Sequence, residues 1–372
     1  MSERARKHAI ILSGGGAYGA YEVGVLKALL AGASPATGFQ PLVPEIVTGT
    51  SVGAYNATFL VSRLGAGGAQ AAEELERVWL ERIAGGPGRC GNGVFRIRLD
   101  PGEYVQPSCY RPDPLRPLRT TAEDGVFFAA QLLARTASAL RSRGPLLRRA
   151  IEEVDLSAAI DSRPYDELIR ETIDFDAVDR SPVALSVFAT ALKTGAPRRF
   201  DNGSGTLTAR AVQASASIPG VFPPTIVDGE PYVDGGLSIN TPLAPALTAG
   251  ADVLHVVFLD PKVRDIAIRV PLSTVTEIYR MTAIIFANET RAQIVAIDRV
   301  NRGLRTPEER PIEVHVYRPS ADLVVGLAGF LEFERSYARK LIAAGYEDAV
   351  HRSPEPATSA SVALGPSFFS GA

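Results

Sequence analysis

"VTGTSVGAYNA", residues 47–57, sets a serine between two glycines, Gly49-x-Ser51-x-Gly53, directly after a short apolar run and ahead of a helix-like stretch. The spacing describes a strand–turn–helix elbow, in which the glycines let neighbouring backbone crowd the turn and the side chain between them is pushed outward. A serine held this way stands at a helix N-terminus, where unpaired N–H groups and the helix dipole favour the negative charge of an oxyanion. The same pentapeptide also occurs in ordinary small-residue loops, so the meaning of Ser51 depends on the rest of the chain.

Around this elbow, 372 residues with 46% hydrophobic content supply a large core, best read as one large domain with an insertion. The 39 basic and 41 acidic residues leave a formal charge of -2, which carries no electrostatic footprint for nucleic acid. Two cysteines, Cys90 and Cys109, make neither a disulfide framework nor a metal-ligand cluster, and imply a reduced, cytoplasmic setting. The opening "SERARKHAIILSGGG" imitates a signal peptide, but its apolar part ends at Leu12, and no run elsewhere approaches membrane-spanning length. A soluble protein is expected, with at most peripheral contact with a membrane.

Short apolar runs alternate with helical patterns, the signature of an α/β fold with a largely parallel sheet. Strands are expected at Ala9–Leu12, Ile46–Thr48, Val183–Thr190, Val253–Leu259 and Ile312–Tyr317. Helices are expected at Tyr21–Leu30, Val52–Arg63, Glu73–Ile83, Thr208–Ser215, Thr274–Val300 and Glu334–Val350. Residues 85–125 break the rhythm with glycine, proline and arginine, which places an inserted cap at about 85–163 within a domain spanning 1–352. The tail from Ser353 reads as disordered.

In "IILSGGGAYGAYEVGVLKALL" a strand runs straight into glycines and then a helix. Gly14, Gly16 and Gly19 formally satisfy a dinucleotide-binding fingerprint. That reading needs an acidic residue at the end of the next strand, and the nearby candidate, Glu45, stands at its start. An ATP-type loop is weaker still, since no lysine follows the glycines. A hydrolase uses the same glycines differently: the N–H groups of Gly15, Gly16 and Ala17, joined by that of Val52, can point at a carbonyl oxygen gaining charge. Ends of adjacent parallel strands share one rim, which would bring this loop beside Ser51.

A serine alcohol needs a base. His8 precedes the first strand, His255 and His315 lie inside apolar strand runs, and His351 opens the tail, so each histidine has a structural explanation. In "GEPYVDGGLSINTPL", Asp234 follows a strand-like run and precedes Gly235 and Gly236, with a helix starting near Thr241. It is either a turn-forming aspartate or a carboxylate base brought to Ser51 at a strand end.

Together "GGGAYG", "GTSVG" and "DGG", in that order, resemble the patatin-like phospholipase family, and the likeness extends to "ASASIPGVFPP" (214–224) and "VFATALKTGAPRRF" (187–200). It covers residues 8–260 and, less specifically, continues to about 350. The resemblance implies a three-layer α/β/α core with a mainly parallel sheet and a Ser–Asp dyad without histidine. Ser51 would be the nucleophile, Asp234 the base and Gly14–Ala17 the oxyanion loop, with no metal or organic cofactor, acting on fatty acyl esters of phospholipids or lysophospholipids. Family members often carry Lys or Arg where this chain has Tyr18. Two alternatives stand beside it: an α/β-hydrolase triad Ser51–Asp234–His255, and a non-catalytic lipid-binding module on the same fold.

Residues 126–151, "VFFAAQLLARTASALRSRGPLLRRAI", hold five arginines and no acidic residue. Val126, Ala130, Leu133, Ala137 and Leu140 form one apolar helical stripe, which either packs on the core or docks on an anionic membrane surface.

Overall fold

The run Ala9–Leu12 is apolar at every position rather than alternating, as a strand covered on both faces requires. In the computed structural model it forms β1 (His8–Leu12), which lies in the interior of the sheet. The structure describes residues 6–85, 90–141, 155–259, 274–303, 311–319 and 327–351.

The other strands of the main sheet are β2 (Ile46–Thr50), β5 (Ala184–Ala191), β6 (Pro197–Asp201), β7 (Thr225–Val227), β8 (Glu230–Asp234), β9 (Val253–Val257) and β10 (Glu313–Tyr317). Their order is β10-β9-β1-β2-β5-β8-β7, with β6 beside β5. β10, β9, β1, β2 and β5 run parallel, whereas β6, β7 and β8 pair antiparallel at the other end. The parallel strands match the apolar runs expected from sequence to within one or two residues. The antiparallel end was not anticipated, because β6, "PRRFD", and β7 are short and carry exposed residues instead of a buried apolar run.

Helices cover both faces of the sheet. One face packs with α1 (Gly19–Leu30), α2 (Val52–Arg63) and α3 (Gly68–Val78) around Leu12, Leu26, Val47 and Phe59. α5 (Arg163–Thr172), α6 (Ala209–Ser215) and α9 (Arg335–His351) contribute Leu168, Val212 and Leu341 to the same cluster. On the opposite face, Ile11, Ile46, Leu254 and Val256 pack with Leu243 of α7 (Leu243–Thr248) and with Ile294 and Ile297 of α8 (Thr274–Gly303). The result is the expected three-layer architecture. α3 starts earlier than expected and gives way to a wider π-helical turn at Trp79–Ile83. At α6, Thr208 caps the helix, its side chain accepting from the Ala211 N–H.

Within residues 85–163, β3 (Arg96–Ile97) pairs antiparallel with β4 (Ile160–Asp161), and α4 (Arg116–Arg141) lies between them in sequence. Asp124, on α4, accepts two hydrogen bonds from Arg96 at 2.7 and 2.8 Å, one from Arg98 at 3.1 Å and one from the Leu99 N–H at 2.9 Å. The Arg98 guanidinium lies 3.9 Å from the centre of the Phe127 ring. This face of α4 is therefore anchored by charge, and of the stripe Val126 and Leu133 face out, 72% and 73% exposed, rather than packing on the core. The side chains of Leu140 and Arg141, and all of Arg143, Arg148 and Arg149, lie outside the described residues, as does the tail from Ser353.

The cysteine reading is corrected. Cys90 and Cys109 are joined in a disulfide, with Cα atoms 4.7 Å apart. The short helical turns Gly102–Val105 and Pro107–Tyr110 fold back toward residue 90, an approach that two cysteines in an irregular stretch do not disclose. With it goes the premise for a reduced, cytoplasmic setting. Among the described residues, no helix is long and apolar enough to cross a membrane.

Candidate active site

β2 ends at Thr50 and α2 begins at Val52, so the turn between them is the single residue Ser51. Ser51 adopts φ 56° and ψ −123°, a conformation that side chains other than glycine rarely take. The flanking glycines make room for it. A Cβ on Gly49 would meet the Gly53 carbonyl oxygen at 2.3 Å, and one on Gly53 would meet that of Leu12 at 2.6 Å. The elbow thus sits directly on the end of β1.

Register explains how Asp234 arrives there. Thr50 pairs with Phe188 on β5, and the next residue of β5, Ala189, pairs with Asp234 on the antiparallel β8. Ser51, one residue beyond Thr50, is level with the end of β8. The Ser51 hydroxyl donates to Oδ2 of Asp234 at 2.7 Å, and the Gly236 N–H donates to Oδ1 at 2.8 Å. The Asp234 backbone is held as well, its N–H donating to the Ser217 carbonyl at 2.9 Å and its carbonyl accepting from Thr190 Oγ1 at 2.9 Å. Gly235 fits only without a side chain, since a Cβ would lie 2.1 Å from the Phe188 carbonyl oxygen. Burial pushes the Asp234 carboxyl up to about 6, against the opposing pull of the hydrogen bonds from Ser51 and Gly236.

The glycine loop closes the third side. A Cβ on Gly14 would lie 3.2 Å from Ser51 Cβ and 2.4 Å from Asn240 Oδ1, which places this loop against the elbow. The Gly14 N–H donates to the Asn240 carbonyl at 3.1 Å. Of the N–H groups expected to face an oxyanion, Gly14's is thus already engaged, and the set narrows to Gly15, Gly16, Ala17 and Val52. Gly16 and Ala17 open a 3₁₀ turn and Val52 opens α2, positions whose N–H groups have no preceding carbonyl within their own helix. Gly16 has φ +56° and backs onto Phe330, whose carbonyl oxygen would lie 2.5 Å from a Cβ there. Gly19 lies against Val52, tying the loop helix to the elbow helix.

The histidines sit apart from this geometry. His255 is fully buried, with Nδ1 3.1 Å from the Tyr317 hydroxyl and Nε2 3.3 Å from His8 Nδ1. Its ring stacks on His315 at 5.0 Å, and burial, then the neighbouring His315 and His8, holds its pKa well below the usual range. His351 hydrogen-bonds the Glu347 carbonyl on α9.

Two residues that sequence reading passed over support the elbow. Ser215 Oγ accepts from the Ser51 N–H at 2.8 Å and donates to the Phe188 carbonyl at 2.5 Å. Asn240 holds Gly14 through both backbone and side chain. Ser215 lies within "ASASIPG", but nothing in that string says which of its hydroxyls turns toward Ser51.

Ser51, Gly16 and Val52 also line a cavity of about 40 Å³ whose remaining wall is almost wholly apolar: Tyr55, Trp79, Ile83, Val94, Tyr165, Leu168, Ala216, Ile218, Phe222 and Phe333. At this volume it has room for water but not for an acyl chain, so a chain entering it must displace side chains.

Residues 10–247 match the model of the family described as patatin-like phospholipase. An uncharacterised NTE family protein of Mycobacterium bovis is 30% identical over 138 residues, which is 37% of this chain and 37% of that protein. Its Mycobacterium tuberculosis counterpart matches to the same extent. The matched segment thus spans little more than a third of these relatives. Among solved structures, VipD from Legionella pneumophila aligns with a TM-score of 0.36 at 13% identity, over 92% of this chain and 66% of its own. The type III effector ExoU aligns with a TM-score of 0.32 at 14% identity, over 93% and 52%.

Proposed function

Because the chain belongs to the patatin-like phospholipase family, we propose that it is a serine lipid acyl hydrolase working through a Ser51–Asp234 dyad. The observation that carries this reading is the direct 2.7 Å hydrogen bond from the Ser51 hydroxyl to the Asp234 carboxylate, with no imidazole between them. Asp234, with a carboxyl raised to about 6, is ionised at neutral pH yet basic enough to take a proton from an attacking serine. Ser51 attacks the ester carbonyl, N–H groups from Gly15–Ala17 and Val52 receive the developing oxyanion, and the alcohol leaves with the proton returned by Asp234. Water then releases the fatty acid by the reverse route. No step calls on a metal or an organic cofactor.

The lining of the cavity next to Ser51 is apolar, as a fatty acyl chain requires once side chains move aside to admit it, and phospholipids or lysophospholipids are the substrates proposed. The cap offers a docking surface for the bilayer that holds them: Val105, Leu115, Leu118, Val126, Leu132 and Leu133 are all exposed there. The arginines of residues 126–151 complement an anionic headgroup layer.

A fluorophosphonate probe tests the nucleophile, and turnover of a lipid panel by wild type beside Ser51→Ala tests the substrate class. Labelling at Ser51 and hydrolysis lost in Ser51→Ala are expected. A protein left unlabelled and inactive on every ester would instead be a binding module on the same fold. For the membrane contact, changing Arg141, Arg143, Arg148 and Arg149 to Gln should weaken binding to phosphatidylglycerol vesicles at low salt, leaving hydrolysis of a soluble short-chain ester near normal. Equal vesicle binding by both proteins would remove it.

A further inference from the structure

Two tyrosines stand side by side in the cavity wall, their ring centres 6.1 Å apart, and their hydroxyls differ. Tyr55 bonds Thr172 Oγ1 at 2.8 Å. The Tyr165 hydroxyl is buried and has no hydrogen-bond partner among the described residues, although the residue as a whole is only 8% exposed. An unpaired buried hydroxyl destabilises a fold relative to a paired one, and phenylalanine at 165 would avoid that penalty without losing the ring. Burial first, then the neighbouring Tyr55 and Asp234, pushes its ionisation well above the usual tyrosine range, so it remains a donor at any working pH. It therefore lacks an acceptor, on a residue that lines the same cavity as Ser51.

The chemistry supplies one. In a two-step acyl transfer, the alcohol oxygen that leaves in the first half and the water oxygen that attacks in the second occupy the same place, because deacylation retraces acylation. We infer that the Tyr165 hydroxyl donates a hydrogen bond to this oxygen in both halves, as a third catalytic side chain beside Ser51 and Asp234. The inference rests on the acyl-enzyme reading above. In the first half, the bond from Ser51 Oγ to the carbonyl carbon forms as the serine proton passes to Asp234. The bond to the alcohol oxygen then breaks, Asp234 protonates that oxygen, and Tyr165 stabilises its charge while keeping its own proton. In the second half, water takes the vacated place, accepts from Tyr165, gives a proton to Asp234 and bonds to the carbonyl carbon. The bond to Ser51 Oγ breaks and Asp234 returns the proton to the serine. Ester and water become acid and alcohol, and Tyr165 ends unchanged.

Tyr165→Phe, compared with Tyr55→Phe, separates this role from packing. A p-nitrophenyl ester is the probe, because nitrophenolate leaves without help while the deacylating water still needs orienting. Tyr165→Phe should melt at or above the wild-type temperature and keep the initial nitrophenolate burst. Its steady-state rate should fall about 10- to 100-fold, the loss of one hydrogen bond to a developing charge, and mass spectrometry should find the acyl group accumulating on Ser51. Tyr55→Phe should lose stability with no acyl-enzyme build-up. The inference is overturned by an unchanged steady-state rate in Tyr165→Phe, by burst and steady state falling together, or by failure of the variant to fold, since the hydroxyl would then be serving the structure. Fluorophosphonate labelling of wild-type Ser51 keeps these outcomes distinct from failure of the hydrolase reading, which an unlabelled wild type would show.

Discussion

Ser51 donates to Asp234 from inside the protein: the hydrogen bond is 2.7 Å long, and the two residues are 3% and 7% exposed. A carboxylate kept this dry is a better base and a worse neighbour to the fold, and the two effects separate with pH. In the proposed dyad only ionised Asp234 can take the serine proton, so activity should rise with pH through about 6. Stability should respond with the opposite sign. Between the ordinary aspartate range and about 6, the folded protein holds a proton that the unfolded chain has released, so raising the pH across that window costs the fold about 3 kcal/mol. Buried His255 contributes with the reverse slope, because it takes up its proton mainly after unfolding. Denaturation of wild type and Asp234→Asn across pH 4–8 isolates the carboxyl. The asparagine variant should be inactive, and more stable than wild type at pH 7.

Position 51 stores backbone strain that an alanine keeps and a glycine relieves. Both Ser51→Ala and Ser51→Gly should abolish ester hydrolysis. Since a side chain at φ 56° and ψ −123° costs about 1–3 kcal/mol, the glycine variant should be the more stable of the two. Thermal denaturation of both variants decides it; equal melting temperatures would mean the elbow is not strained.

His255→Gln should leave kcat/KM within a few-fold of wild type. Its ring nitrogens are committed to Tyr317 and His8, so the loss should appear as about 1–3 kcal/mol of stability instead. A loss of activity as deep as that of Ser51→Ala, with stability intact, would bring an imidazole into the reaction.

The cap should loosen in acid before the core does. Asp124 is buried and desolvated, yet hydrogen bonds from Arg96, Leu99 and Arg98 outweigh this and hold its carboxyl down at about 2. This support is complete above the ordinary aspartate range and fades as the pH falls from about 4 toward 2, worth about 2 kcal/mol in all. Limited proteolysis after Asp124→Asn, or of wild type at decreasing pH, should cut within residues 90–141 first. Cleavage beginning in β1 or α1 would contradict a separately held cap.

Legibility in the sequence followed physical cause. β1 and β9 are covered on both faces, so their apolar runs announced them, and the crowding at Gly49 and Gly53 left glycines at a readable spacing. β7 and the paired cysteines depend on contacts between segments with no periodic pattern of their own, and the string could not supply those. The stripe on α4 was legible as a stripe, but its direction was not: Arg96 and Arg98, from another segment, pull the opposite face inward through Asp124. Ser215, Asn240 and Tyr165 are ordinary residues in the string until the fold sets them against the elbow, the glycine loop and the cavity.

The interior position of β1 also bears on how the chain is made. Its neighbours are β2, which follows within a few dozen residues, and β9, which begins only at Val253. At 5–20 residues per second, a ribosome needs roughly 10–50 s to travel from Leu12 to Val253. For that interval one edge of an apolar strand is unpaired, and until Asp234 emerges Ser51 lacks the carboxylate that it hydrogen-bonds. Growing chains therefore pass through a long aggregation-prone stage, and the missing sheet neighbour and the missing carboxylate arrive within some twenty residues of each other, between Asp234 and Val253.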